Sequence, residues 1–132
     1  MNIKHEENNM HIYTNGKENF QLANGYISTT TILFEKFDIQ VKIEAEGYVE
    51  YYKNNQCVAS FDLEKETEGK KVYTEVVCHT TDNEIILEFP IVKWIDNYPH
   101  CDGEHDRWDC VILGYHQVNF DVNENKVRKP SL

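Results

Sequence analysis

From Asp38 to Tyr52 the chain alternates. Ile39, Val41, Ile43, Ala45, Gly47, Val49 and Tyr51 take the odd positions, against Asp38, Gln40, Lys42, Glu44, Glu46, Tyr48, Glu50 and Tyr52 on the even ones. A period of two sends successive side chains to opposite faces of an extended strand, so one face is apolar and the other charged and aromatic. The pattern predicts one long strand, or two joined near Glu46-Gly47, that packs a core on one side only. The same period dominates elsewhere and helical periodicity is almost absent, which predicts an all-β fold.

Turn chemistry divides the rest. Asn15-Gly16 and Asn24-Gly25 suit two-residue hairpins, because both residue types tolerate positive φ. They predict a meander with strands near 10–14, 17–23 and 26–36, in which Leu22 faces Ile27 and Phe20 faces Thr29. If Val49 and Tyr51 share the core with Cys57, Ala59, Phe61 and Leu63, opposed residues share parity, so the Lys53–Gln56 region needs an odd-length loop. The next pair, Val72–Thr80 and Glu84–Ile95, sets Val76 and Cys78 beside Leu87 and Ile85 and needs an even-length loop. Pro90 places its neighbourhood at a sheet edge or a bulge, because proline cannot donate to a ladder. A last strand, Asp109–Asp121, carries Cys110, Ile112, Gly114, His116, Val118 and Phe120 on one side. Glu64–Lys70 reads as a solvated loop. About eight strands result, a single-domain β-sandwich or partly open antiparallel barrel over residues 1–122, followed by a frayed polar tail over 123–132.

Composition adds a charge. Among 132 residues, 23 Asp and Glu face 13 Lys and Arg, a formal net charge of −10. Such a chain repels nucleic-acid phosphates and anionic membranes and attracts basic surfaces, so the expected partner is a basic protein, with no nucleic acid and no membrane. Met1–Glu7 lacks the apolar segment of an export signal, and the four cysteines form no dense framework, so cytosolic thiols and a cytoplasmic location are expected. Cys57, Cys78 and Cys110 read as small core side chains.

The long connection Asp96–Cys110 is where chemistry is expected, since long loops in compact β domains are more often functional than accidental. His100, Cys101, His105 and Cys110 offer the nitrogen and sulfur ligands of tetrahedral zinc, with His116 or Cys78 as substitutes. The spacing argues against it: there is no Cys-x-x-Cys or His-x-x-x-His pair, and neighbours at 100 and 101 do not easily reach one ion. Asp102, Glu104 and Asp106 alternate as at the start of a calcium loop, but Gly103 is misplaced and flanking helices are missing. A Cys101–Cys110 disulfide is the structural alternative. Adjacent Cys78 and His79 point to opposite faces of a strand and form no dyad, so catalysis has little support.

The same loop also reads as a recognition surface. Tyr98, Asp102, Glu104, Asp106, Trp108 and Asp109 combine carboxylates for Lys or Arg with aromatic anchors, and Glu44, Glu46, Tyr48 and Glu50 repeat the theme on the long strand. The plainer reading of each such residue is a solvated surface. Together these features lead to the expectation of a non-enzymatic, cofactor-free acidic binding protein, most simply an immunity protein that masks a basic bacterial toxin such as a nuclease. The alternatives are a zinc-binding module or small metalloenzyme using the 100–116 cluster, and a carbohydrate-binding sandwich using Trp94, Trp108 and exposed tyrosines.

Overall fold

A computed structural model describes residues 8–22, 29–45, 47–67, 75–96 and 108–128. Its strands are β1 (Asn8–Tyr13), β2 (Glu18–Gln21), β3 (Thr29–Phe34), β4 (Ile39–Glu44), β5 (Tyr48–Lys53), β6 (Gln56–Asp62), β7 (Glu75–Thr80), β8 (Glu84–Asp96), β9 (Trp108–Asp121) and β10 (Lys126–Arg128). One helical turn, α1 (Leu63–Glu66), follows β6. Among the described residues the strands form two five-stranded sheets, β1-β3-β4-β5-β6 and β10-β9-β8-β7-β2, and neither closes into a barrel.

The alternating segment becomes β4 and β5, which turn at Gly47, whose φ of +107° suits a residue without a Cβ. Ile39, Val41, Ile43, Val49 and Tyr51 are buried on the inner face. The second sheet brings Val76, Cys78, Ile85, Leu87, Phe89 and Phe120 into the same core. Tyr51 stacks on Phe120 with ring centroids 4.1 Å apart, and Phe61 meets Phe89 edge-on at 6.5 Å. These aromatic pairs join the two sheets, and burial of their area is the main stabilising term.

The predicted N-terminal meander does not form. Asn15-Gly16 does turn the chain, with Gly16 at φ +70° and the Tyr13 hydroxyl donating to the Gly16 carbonyl at 2.6 Å. The turn, however, carries the chain from one sheet to the other. β1 pairs in parallel with β3, and β2 pairs with β7, so Phe20 lies opposite Val76 rather than Thr29. An Asn-Gly pair fixes a local reversal of direction; which strand is then paired depends on distant apolar partners. Asn24-Gly25 lies outside the described residues.

Parity is satisfied differently from the expectation at β5–β6. Val49 opposes Phe61 and Tyr51 opposes Ala59, so opposed residues share parity as expected, but the loop is the two-residue Asn54-Asn55 with φ of +50° and +62°. A register shift between Tyr51 and Tyr52 absorbs the extra residue, Val58, as a bulge. Beyond that bulge Cys57 falls opposite Tyr52 and is exposed, so it is not a core side chain. Cys78 is fully buried, and burial raises its thiol pKa. The even-length loop after β7 is present, closed by the Thr81 amide donating to the Glu84 carbonyl at 3.0 Å, with Cys78 opposite Leu87 rather than Ile85. Pro90 lies beyond the last β7–β8 pair, Val77 with Glu88, and beside a second register shift at Ile91–Val92. That shift also displaces the β9 pattern: Val118 and Phe120 are buried, whereas Ile112 is exposed.

Two segments read as irregular are structured. Part of the predicted solvated loop is α1, capped by the Asp62 carboxylate, which accepts from the Glu64 and Lys65 amides and lets Leu63 reach the core. In the polar C-terminal stretch, β10 pairs with β9 through Lys126–Asp121, Val127–Phe120 and Arg128–Asn119. Asp121 organises the turn between them by accepting from the Asn123 and Glu124 amides at 2.9 and 3.0 Å, with Arg128 3.4 Å away. These hydrogen bonds, chiefly the one from Glu124, hold the Asp121 carboxyl below its usual value. A lowered folded-state pKa stabilises above the unfolded value and is lost as pH falls through the folded one. Amide exchange of Val127 and Arg128 is therefore expected to accelerate below the ordinary carboxyl value of 3.8, and Asp121→Asn to weaken that pH dependence.

Candidate functional site

The outer face of the β1-β3-β4-β5-β6 sheet follows directly from the pairing. At one end of it Thr29 faces Glu44, and Tyr48 faces Asp62; Met10, Thr31, Lys42, Glu50 and Ser60 form a row across it, and Ile12, Leu33, Gln40, Tyr52 and Cys57 form another. Side chains in a row lie close enough to act on one another. The Tyr52 hydroxyl donates to Glu50 Oε1 at 3.2 Å, and Lys42 Nζ lies 4.5 Å from the centroid of the Tyr52 ring. Partial burial and then the Glu50 charge hold the Tyr52 phenol above its usual pKa, so it remains a donor. Tyr48 is 48% exposed and stands ready as an aromatic contact.

Charge on this face contrasts with charge elsewhere. On the other sheet Glu88 is shared by Lys17 at 3.5 Å and His79 at 3.4 Å, while Arg128 pairs with both Asp121 and Glu124. Among the described residues neither Glu44 nor Glu50 forms an ion pair. Asp62 is occupied as the cap of α1. The two glutamates, flanked by Tyr48 and Tyr52 and bordered by exposed Met10 and Ile12, thus present acceptors with aromatic and apolar area beside them.

Compared with protein-family models, with curated proteins and with solved structures, the chain matches none. The functional reading therefore rests on its own residues.

Of the residues that the sequence assigns to a partner surface, Glu44, Tyr48 and Glu50 share this face. Trp108 and Asp109 open β9, opposite Asp96 and Ile95 on β8. Glu46, Tyr98, Asp102, Glu104 and Asp106 lie outside the described residues. Of the zinc candidates, His100, Cys101 and His105 also lie outside them, and Cys110 sits in β9 opposite Trp94. Among the described residues no group of three His, Cys, Asp or Glu side chains gathers to hold a metal ion. Cys78 is sealed in the core while His79 faces Glu88, so these neighbours form no dyad. Lys42 and its ring contact went unassigned by the sequence, although its position opposite Glu50 follows from the alternation once the turn at Gly47 is known. Met10 and Ile12 were missed because they reach this face only through the parallel β1–β3 pairing.

Proposed function

We propose that this protein is a non-enzymatic inhibitor that recognises and masks a basic protein, acting as an immunity protein against a bacterial toxin such as a nuclease. The observation that carries the reading is the net charge of −10, together with the paired-strand face that displays Glu44 and Glu50 beside Tyr48 and Tyr52. An enzyme acting on nucleic acid presents a cationic cleft, and an acidic surface both steers encounter with it and competes with its substrate. Tyrosines beside the acids supply contact area that charge alone does not. A β-sandwich scaffold with this face outward, working in the bacterial cytoplasm without a cofactor, completes the proposal. Asp102, Glu104, Asp106, Asp109, Tyr98 and Trp108 extend the same acidic and aromatic character in sequence.

The test is affinity capture of the intact protein from its host lysate at low salt, with mass spectrometry of what is retained and metal analysis of the same preparation. The expected result is one basic protein whose nuclease or other toxic activity falls stoichiometrically as this protein is added. Near-stoichiometric zinc and no retained basic protein would overturn the reading in favour of the His100–His116 cluster.

A further inference from the structure

The turn that carries the chain from one sheet to the other holds a reactive pair. Asn15 and Gly16 are both exposed, and a Cβ built on Gly16 would meet nothing within 4 Å. Hydrogen bonds anchor the chain on either side of the Asn15–Gly16 peptide bond. Before it, the Glu18 carboxylate accepts from the Thr14 amide at 2.8 Å, the Thr14 hydroxyl at 2.7 Å and the Asn15 amide at 3.1 Å. After it, the Tyr13 hydroxyl donates to the Gly16 carbonyl at 2.6 Å. Among the described residues no hydrogen bond engages the Asn15 side chain or the Gly16 amide.

We propose that Asn15 is a modification site, at which the folded protein converts asparagine to isoaspartate and aspartate through a cyclic imide. The Gly16 amide nitrogen gives its proton to hydroxide and bonds to Asn15 Cγ; the Cγ–Nδ2 bond breaks, and ammonia leaves with a proton returned by water. Water then opens the ring. Cleavage between that nitrogen and the Asn15 backbone carbonyl carbon leaves the chain running through Cβ as isoaspartate, whereas cleavage at Cγ restores an ordinary backbone as aspartate. The net change is water in and ammonia out.

Sequence and contacts together single out this position. Among the described residues Asn15 is the one asparagine that glycine follows, so no side chain crowds the attacking nitrogen. Asn54, Asn83, Asn123 and Asn125 instead precede Asn55, Glu84, Glu124 and Lys126, and Asn125 Oδ1 is held by Lys53 Nζ at 2.8 Å. The product strains the turn. Isoaspartate lengthens the backbone by one carbon between the two anchors, and its carboxylate adds a like charge near Glu18, which holds the turn. The turn leads into β2, a four-residue strand at the edge of its sheet, so the consequence is weaker pairing of β2 with β7, where Phe20 lies opposite Val76.

Peptide mapping of the folded protein aged at about 37 °C in mildly alkaline buffer is expected to show isoaspartate at position 15 forming about tenfold faster than at any other described asparagine, a difference of about 1.4 kcal/mol in barrier. Mapping separates this site from Asn24-Gly25, which lies outside the described residues. The rate should rise with pH, because the nitrogen attacks after losing its proton, and Asn15→Gln should remove the product at this position, since its imide ring would be larger. Protein carrying isoaspartate, isolated by chromatography, should exchange its β2 amides about tenfold faster than fresh protein, while Asn15→Gln aged alongside should not change. Asn15 that stays intact in the folded protein but converts in the urea-unfolded chain overturns the proposal, since the turn would then shield it. Conversion that leaves β2 exchange unchanged overturns the predicted loosening.

Discussion

Phe120→Ala is expected to lower the free energy of unfolding by about 3–5 kcal/mol, measured by urea denaturation, with the midpoint falling and the slope nearly unchanged. Phe120 is fully buried, and its ring is the surface on which Tyr51 of the opposite sheet stacks. Truncation removes the transfer energy of the ring and leaves a void between sheets that strand pairing prevents from collapsing. For a domain whose whole stability is typically about 5–15 kcal/mol, that loss leaves little margin at 37 °C. Tyr51→Phe makes the opposing control. The Tyr51 hydroxyl is buried without a hydrogen-bond partner among the described residues, and burial raises its pKa. Removing it relieves a desolvated polar atom while keeping the ring, so this variant should match the wild type or gain about 1 kcal/mol. A clear loss in Tyr51→Phe would contradict the dry aromatic contact described between the sheets.

The second large effect concerns the acidic face. Glu44→Lys combined with Glu50→Lys is expected to slow association with the captured basic partner about 10- to 100-fold at low salt, measured by stopped-flow or surface binding. The double reversal changes net charge by +4 at the centre of the proposed contact, because each of two sites goes from −1 to +1. Stability should change by less than about 1 kcal/mol, since both side chains lie on the outer face and the main local cost is a second ammonium facing Lys42 where the Glu50 carboxylate stood. Unchanged association by a folded variant would remove Glu44 and Glu50 from the contact and leave the segment 97–109 to carry it.

How much of this was legible can be seen at particular residues. Ile39 to Tyr51 announced both the strands and their buried face, because strict alternation admits one register against a core. Glu44, Tyr48 and Glu50 followed from the same alternation. Cys57 went wrong because a bulge costs one residue and leaves no compositional mark, so the parity argument chose an odd loop where the protein uses Asn54-Asn55 and a shift at Tyr51–Tyr52. Met10-His11-Ile12-Tyr13 is apolar or neutral on both parities, so nothing local declared which side faces the core, and the parallel pairing with β3 is a long-range outcome. Ile112 was placed on the same side as Val118 and Phe120 because strict alternation does not reveal the register shift at Ile91–Val92, beyond which Ile112 is exposed. The polar end was read as a tail because its stabilising groups, the Asp121 carboxylate and Arg128, act through a turn rather than through apolar content.

The central claim is that acidic surface charge drives recognition of a basic protein. Its most direct test is the association rate of the purified pair across ionic strengths from about 0.02 to 0.5 M, where the Debye length shrinks from about 20 to 4 Å. The account predicts a rate that falls at least tenfold over that range while dissociation changes little. A rate independent of salt would contradict it.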